Sequence, residues 1–220
     1  LGGLTVAGLS IGNRHACGVT ADGTAYCWGW GDNGQLGNGG IVTELFEPVP
    51  VQGGHRFASV HAGAANFTCG IAVDGRALCW GNNDSGQLGT DSTEHNIFDV
   101  RPVAGDHRFV TLTAGVAHTC GLTADGQAHC WGRNADGQLG VEPADGGCPA
   151  SRPCSARPVA VQGGLTFTAL RAGYRHSCGI TPDGQAYCWG DNASGELGNG
   201  TRTGSARPVR IGDLSGRSSN

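Results

Sequence analysis

Apolar residues come along this chain in short clusters with the period of extended strands, and never as a helical stripe long enough to define an amphipathic helix. Residues 57–63 (FASVHAG), 109–115 (FVTLTAG) and 167–173 (FTALRAG) are brief, rich in β-formers and closed by glycine. Residues 6–12 (VAGLSIG) hold the same place near the start. Each cluster is followed by a predicted hairpin with an Asp-Gly turn, then by a loop rich in Gly, Asn and Asp. A proline-bearing segment closes each stretch: 47–49 (EPV), 101–103 (RPV), 157–159 (RPV) and 207–209 (RPV). Proline donates no ladder hydrogen bond, so this last strand is expected to be outermost.

The same order returns four times. The first cysteines of the hairpins, Cys17, Cys69, Cys120 and Cys178, stand 52, 51 and 58 residues apart, and the longest interval holds an insertion with Cys148 and Cys154. The units fall at about 4–54, 55–106, 107–164 and 165–213, leaving a short tail at 214–220 with a trace of a fifth copy at Leu214. About four short antiparallel strands per unit, repeated radially, predict one all-β repeat domain over 1–220. It is a β-propeller-type array of four blades, and an incomplete propeller is one of its expected forms.

The hairpin fixes the cysteine geometry. A three-residue loop ending in glycine, as at 21–23, 73–75, 124–126 and 182–184, places a type I turn first and a left-handed glycine last. Counting outward, Thr20 faces Thr24 and Cys17 faces Cys27, as cross-strand neighbours roughly 4.5–5.5 Å apart, within disulfide reach. The same count pairs Cys69 with Cys79, Cys120 with Cys130 and Cys178 with Cys188, and leaves Cys148 with Cys154 by exclusion. The competing use of thiols as zinc ligands lacks the usual closely spaced cysteine pairs, and no C-x-x-C-H haem site occurs. Paired cysteines throughout imply an oxidising compartment, hence an extracellular or cell-surface location.

The string Ala-Gly…His…Cys-Gly-Leu-Thr-x-Asp-Gly…Cys-Trp-Gly…Gly-Gln-Leu-Gly covers nearly all 220 residues. Its last element stands at 34–37, 86–89 and 137–140, with the variant GELG at 195–198. It resembles the regulator-of-chromosome-condensation repeat family, and is similar to the disulfide-bearing version found in secreted bacterial proteins. The resemblance implies a β-propeller. Family propellers usually have seven blades, and four are present here.

Composition narrows the function classes. Glycine fills 41 of 220 positions, about two and a half times average usage. Charged residues make up 15%, yet hydrophobic residues reach 38%, enough for a packed core. No apolar run is long enough to span a bilayer and no signal peptide remains. All 14 basic residues are arginine, and methionine is absent even at position 1, so a processed chain or an excerpt is expected. A net charge of −4 without a basic tail argues against nucleic-acid partners.

Several residue sets invite a chemical reading. Trp28, Trp80, Trp131 and Trp189 follow the second hairpin cysteines and are expected to pack between blades. Trp30 has no counterpart in the other units and is a contact candidate. His15, His118 and His176 recur two residues before the first cysteine, with Phe67 in that place in the second unit, which favours packing over a metal site. Asp32, Asn33, Asn83, Asp84, Asn134, Asp136, Asp191 and Asn192 precede the Gly-Gln-Leu-Gly element without the frame of a calcium loop, and suit turn duty. Arg56, Arg108, Arg101, Arg157 and Arg207 read as edge-strand charges or as contacts for an acidic partner. Sequons at Asn66, Asn83, Asn192 and Asn199 occur at chance frequency.

No hydrolase elbow, zinc-protease helix motif or phosphate loop is present, so no catalytic residue and no cofactor is expected. The expected function is a non-enzymatic extracytoplasmic binding or structural module. Stapled blades would present the variable stretches 38–46, 90–98 and 141–155 to a protein or cell-surface partner, with assembly into an oligomer or filament through the end repeats. A secreted enzyme inhibitor of the same fold is the alternative, since some secreted members resemble β-lactamase inhibitory proteins. A propeller hydrolase or lyase ranks below it.

Overall fold

A computed structural model describes residues 3–144, 146–148 and 153–212; the expected trace of a fifth repeat at Leu214 and the tail lie outside these. Among the described residues there is no helix, and strands form four separate sheets of four. The first blade holds β1 (Gly8–Ile11), β2 (His15–Val19), β3 (Ala25–Trp30) and β4 (Glu44–Pro50). The second holds β5 (Phe57–Gly63), β6 (Phe67–Ala72), β7 (Ala77–Asn82) and β8 (Asn96–Pro102). The third holds β9 (Phe109–Ala114), β10 (His118–Thr123), β11 (Ala128–Arg133) and β12 (Cys154–Ala160), and the fourth β13 (Ala169–Ala172), β14 (His176–Ile180), β15 (Ala186–Gly190) and β16 (Ser205–Arg210). Each sheet is an antiparallel meander in chain order, with the proline-bearing strand at its outer edge.

The turns set the register. Gly23 sits at φ +84°, where its N–H donates to Thr20 O at 2.9 Å while Thr20 N–H reaches Thr24 O at 2.9 Å. That geometry opposes Cys17 to Cys27, and the corresponding turns oppose the hairpin cysteines of the other blades. All four pairs are bonded, with Cα separations of 4.1, 4.1, 4.0 and 4.0 Å in chain order. A fifth bond joins Cys148 in the insertion to Cys154 at the start of β12.

Every third strand is bulged against its fourth just after the second cysteine. The bulge rests on a glycine: at Gly29 (φ +99°) a Cβ would stand 2.6 Å from Arg14 O. Beyond it the second blade departs from the expected alignment. Val49, Val159 and Val209 pair with the hairpin cysteine, but in the second blade Arg101 does. Pro102 therefore lies two positions past the place of Pro48, Pro158 and Pro208, level with Pro50.

The core lies between blades rather than within them. Leu36 of the first blade joins Phe57, Val60, Leu78 and Trp80 of the second. Leu88 joins Phe109, Leu112 and Trp131, and Leu139 joins Phe167, Leu170 and Trp189. A strand sheet that is apolar on both faces needs a neighbour on each, which is why blades stack.

Candidate functional site

The blade junctions carry the most ordered polar chemistry. In each, the indole N–H of the later blade donates to the backbone carbonyl of the earlier blade's Gln: Trp80 to Gln35 at 2.9 Å, Trp131 to Gln87 at 3.0 Å, Trp189 to Gln138 at 3.0 Å. A hydroxyl one residue before the first cysteine shares that carbonyl, from Thr68 (2.8 Å), Thr119 (3.0 Å) and Ser177 (2.9 Å). Since Thr68 spends its proton on Gln35 O, the imidazole of His15, 2.9 Å from Thr68 Oγ1, donates through Nε2. His118 stands 3.0 Å from Ser177 Oγ in the same way. Phe67 fills this position in the second blade, wholly buried.

Burial without an acidic partner disfavours the imidazolium. It pushes His15 down to about 4, and complete enclosure with His176 nearby pushes His118 down to about 3. Each ring points into its own junction rather than toward a common centre. Among the described residues no group of three or more His, Cys, Asp or Glu is placed to hold a metal ion. Trp80, Trp131 and Trp189 are fully buried, whereas Trp28 is half-buried because no described blade precedes it.

The Asn and Asp residues ahead of Gly-Gln-Leu-Gly hold their own loops. Buried Asn134 donates to Val141 O (3.0 Å) and Glu142 O (3.3 Å) and accepts from Leu139 N–H (3.1 Å). Asn83 and Asn192 make the corresponding bonds, and Gly31 replaces them in the first blade. Asn33 bonds Asn96 and Asn66, Asp84 meets His95 at 2.6 Å and Asp136 meets Arg133 at 3.3 Å. Two of the four sequon residues, Asn83 and Asn192, are thereby buried with their amides spent, and Asn66 and Asn199 are half-buried.

Four of the five singled-out arginines meet carboxylates of this chain. Arg56 bridges to Asp22 (3.0 Å) and Arg157 to Asp91 (2.8 Å), both across a junction, while Arg101 holds Glu94 (2.6 Å) and Asp99 (3.0 Å). Arg207 approaches Glu142 at 3.9 Å. Among the described residues, Arg108 hydrogen-bonds only backbone carbonyls, those of Asp106 and His107. Trp30 is half-buried beside Arg14, whose guanidinium lies 5.5 Å from its ring centroid, in a groove with Glu44, Leu45 and the exposed Phe46.

One feature has no signal in the sequence. Between β1 and β5 a cleft of about 520 Å³ is lined by Leu9, Ser10, Ser59, His61 and Val73 among others. Ser59 Oγ is 3.0 Å from His61 Nε2. Burial, aided by Arg171, pushes His61 down to about 4, which leaves it a weak base at neutral pH. At one end of the array the corners of all four inner hairpins, including Ile11, Ala64, Val116 and Tyr174, surround a shared depression of about 320 Å³. The variable stretches are shorter than expected, because β4 begins at Glu44 and β8 at Asn96. Part of the third, at 145 and 149–152, lies outside the described residues.

Four meander sheets packed through buried tryptophans around one axis define a propeller-type repeat protein. The chain belongs to the regulator of chromosome condensation (RCC1) repeat family. One model of that repeat matches 6–35, 57–87, 109–138 and 167–196, and another matches 22–70, 74–122, 125–180 and 183–219. The ultraviolet-B receptor UVR8 of Arabidopsis thaliana is 29% identical over 203 residues, covering 91% of this chain and 44% of that one. The human E3 ubiquitin-protein ligase HERC2 is 30% identical over 214 residues, 95% of this chain and 4% of that one. Yeast RCC1 (Prp20), solved bound to Kap60, superposes with a TM-score of 0.83 at 23% identity, over 96% of this chain and 50% of that one. The chain thus spans less than half of these curated relatives, and the structural likeness speaks for the fold.

Proposed function

We propose that the chain is a non-catalytic, extracytoplasmic binding module: a stapled scaffold whose top loops engage a protein or cell-surface partner. The carrying observation is the contrast between frame and loops. Turn, disulfide, indole–carbonyl link and Asn clamp repeat from blade to blade, while the stretches after Gly-Gln-Leu-Gly differ in length and chemistry. A rigid frame lowers the ordering cost of binding, and loops on such a frame vary without disturbing it. That yeast RCC1 was solved bound to Kap60 supports protein recognition by this fold. Ten cysteines in five bonds support an oxidising compartment, as in the secreted version of the family.

The test is crosslinking of the immobilised, oxidised chain to proteins of its own extracellular medium, beside a variant whose stretches 38–43, 90–95 and 141–148 are replaced by one shared Gly-Ser loop. Crosslinks on those stretches, lost in the variant, support the reading. Equal capture by both proteins overturns it. The inhibitor alternative is separated by the same crosslinked species, since it requires an enzyme whose activity falls on binding.

A further inference from the structure

Six of the described arginines meet a carboxylate of this chain, and none of the six lies on an inner strand or its corner. The inner strands with the corners that follow them, 6–14, 57–66, 109–117 and 167–175, carry Arg14, Arg171, Arg175 and His61, and no Asp or Glu. The chain as a whole has a net charge of −4, so its inner edge is basic within an acidic protein. This edge turns toward the axis in every blade, away from the faces on which blades stack.

Register sets one side chain of each inner strand at the same height. Ser10, His61, Thr113 and Arg171 all oppose the first hairpin cysteine of their blade. Two of them close onto the next blade: Ala62 N–H donates to Ser10 Oγ and Ala172 N–H to Thr113 Oγ1, each at 2.9 Å. Between the second and third blades this closure is missing. His61 spends Nε2 on Ser59 Oγ at 3.0 Å. Register turns the Ala114 N–H the same way as those of Ala62 and Ala172, and no described side chain accepts from it. In the tautomer that accepts from the Ser59 hydroxyl, His61 carries its proton on Nδ1. Arg171 stands on the other side of β9, exposed, with one N–H given to Leu170 O at 2.7 Å and no ion pair among the described residues. It lies near enough to act electrostatically on the His61 ring. Imidazole, backbone amide and guanidinium donors around one stretch of β9, with no acid among them, suit an oxyanion.

One residue nearer the corner the lining turns apolar. Ala62, Ala114 and Ala172 border the depression of about 320 Å³ together with Val116 and Tyr174. The Arg175 guanidinium lies 5.5 Å from the centroid of the Tyr174 ring. We infer that this axial mouth takes an acidic side chain of a partner protein, carried on an apolar segment. The neighbours of that side chain fill the alanine collar, and its carboxylate reaches the donors of Arg171, Ala114 and His61. Charge selects an acidic segment over a neutral or basic one, and the apolar collar selects a peptide over a bare inorganic anion. The volume admits a few side chains and no folded element. The inference rests on the binding-module reading and names the chemistry of the partner at the axis.

The experiment is selection of a random peptide library, displayed on phage, against the immobilised and oxidised 220-residue chain. Enriched peptides are synthesised and measured by fluorescence anisotropy against that chain and against Arg171→Gln, each beside a copy whose acidic residue is replaced by its amide. Arg171 is exposed, so the variant should keep the circular dichroism and disulfide content of the unaltered chain. The expected peptides carry Asp or Glu among apolar residues and bind the variant at least about 10-fold more weakly, as for one lost charge-assisted hydrogen bond. The amide copy should lose a similar factor on the unaltered chain and little more on the variant, because both changes remove one contact. That comparison needs no alteration of the protein. No enrichment, enriched peptides without an acidic residue, equal binding of acid and amide copies, or acidic peptides indifferent to Arg171→Gln would each overturn the inference. Arg171 lies outside the stretches 38–43, 90–95 and 141–148, so the loop crosslinking test stands or falls separately.

Discussion

Acid should loosen the blade junctions, and His118 gives the effect a size. Its ring is fully buried between the third and fourth blades and pushed down to about 3, whereas in the unfolded chain it titrates near 6.5. Between these values the unfolded chain holds a proton that the native chain refuses. The stabilising contribution is therefore complete above pH 6.5 and is lost as pH falls toward the native value. At about pH 5 the loss is RT ln(1 + 10^1.5), roughly 2 kcal/mol, and it hardly depends on where below 4 the native ring titrates. His15, pushed down to about 4, adds a loss of similar size. Against a usual stability of about 5–15 kcal/mol this is a large share. The informative variant is His118→Phe, which copies the natural Phe67. It costs about 1 kcal/mol at neutral pH for the lost bond to Ser177, yet it should remove about 2 kcal/mol of the acid sensitivity. His61, pushed down to about 4, titrates in both proteins and cancels. Urea denaturation of the disulfide-intact proteins, followed by tryptophan fluorescence at about pH 7.5 and about pH 5, gives the difference. Equal losses of stability in the two proteins would refute the reasoning.

Removing one staple, with Cys120→Ala and Cys130→Ala together, should cost about 3 kcal/mol in the same assay, the chain-entropy value for so short a loop; no change in the urea midpoint would count against a stabilising role. Asn134→Ala leaves Val141 O, Glu142 O and Leu139 N–H without a buried partner and should cost about 3 kcal/mol, with faster proteolysis confined to the loop that follows. An unchanged cleavage pattern would show that the loop is held by other means.

The sequence made some features legible and hid others for identifiable reasons. The cysteine register was countable because a three-residue Asp-Gly loop admits one pairing, and Thr20 to Thr24 closes it as counted. The string RPV was misleading in the second blade. Identical letters at 101–103 sit two positions further along the strand, because two more residues separate the proline from the partner of the bulge glycine there than in the other blades. The indole partners were invisible because the acceptors are backbone carbonyls, which no side chain announces. The hydroxyls of Thr68, Thr119 and Ser177 were readable as a column beside the cysteines, but their role needed the neighbouring blade. Ser59 and His61 share one face of β5 by strand alternation, but the influence of Arg171, on β13 two blades away, on His61 needed the curvature of the array.

The binding reading stands on a frame held by oxidised cysteines, so the direct measurement is differential alkylation of the protein taken from its native source, without reductant, followed by peptide mass spectrometry. The account predicts no alkylated cysteine among the ten, and linked peptides joining Cys17–Cys27, Cys69–Cys79, Cys120–Cys130, Cys178–Cys188 and Cys148–Cys154. Alkylation of the four hairpin pairs in the native protein, or linked peptides between different blades, would contradict it.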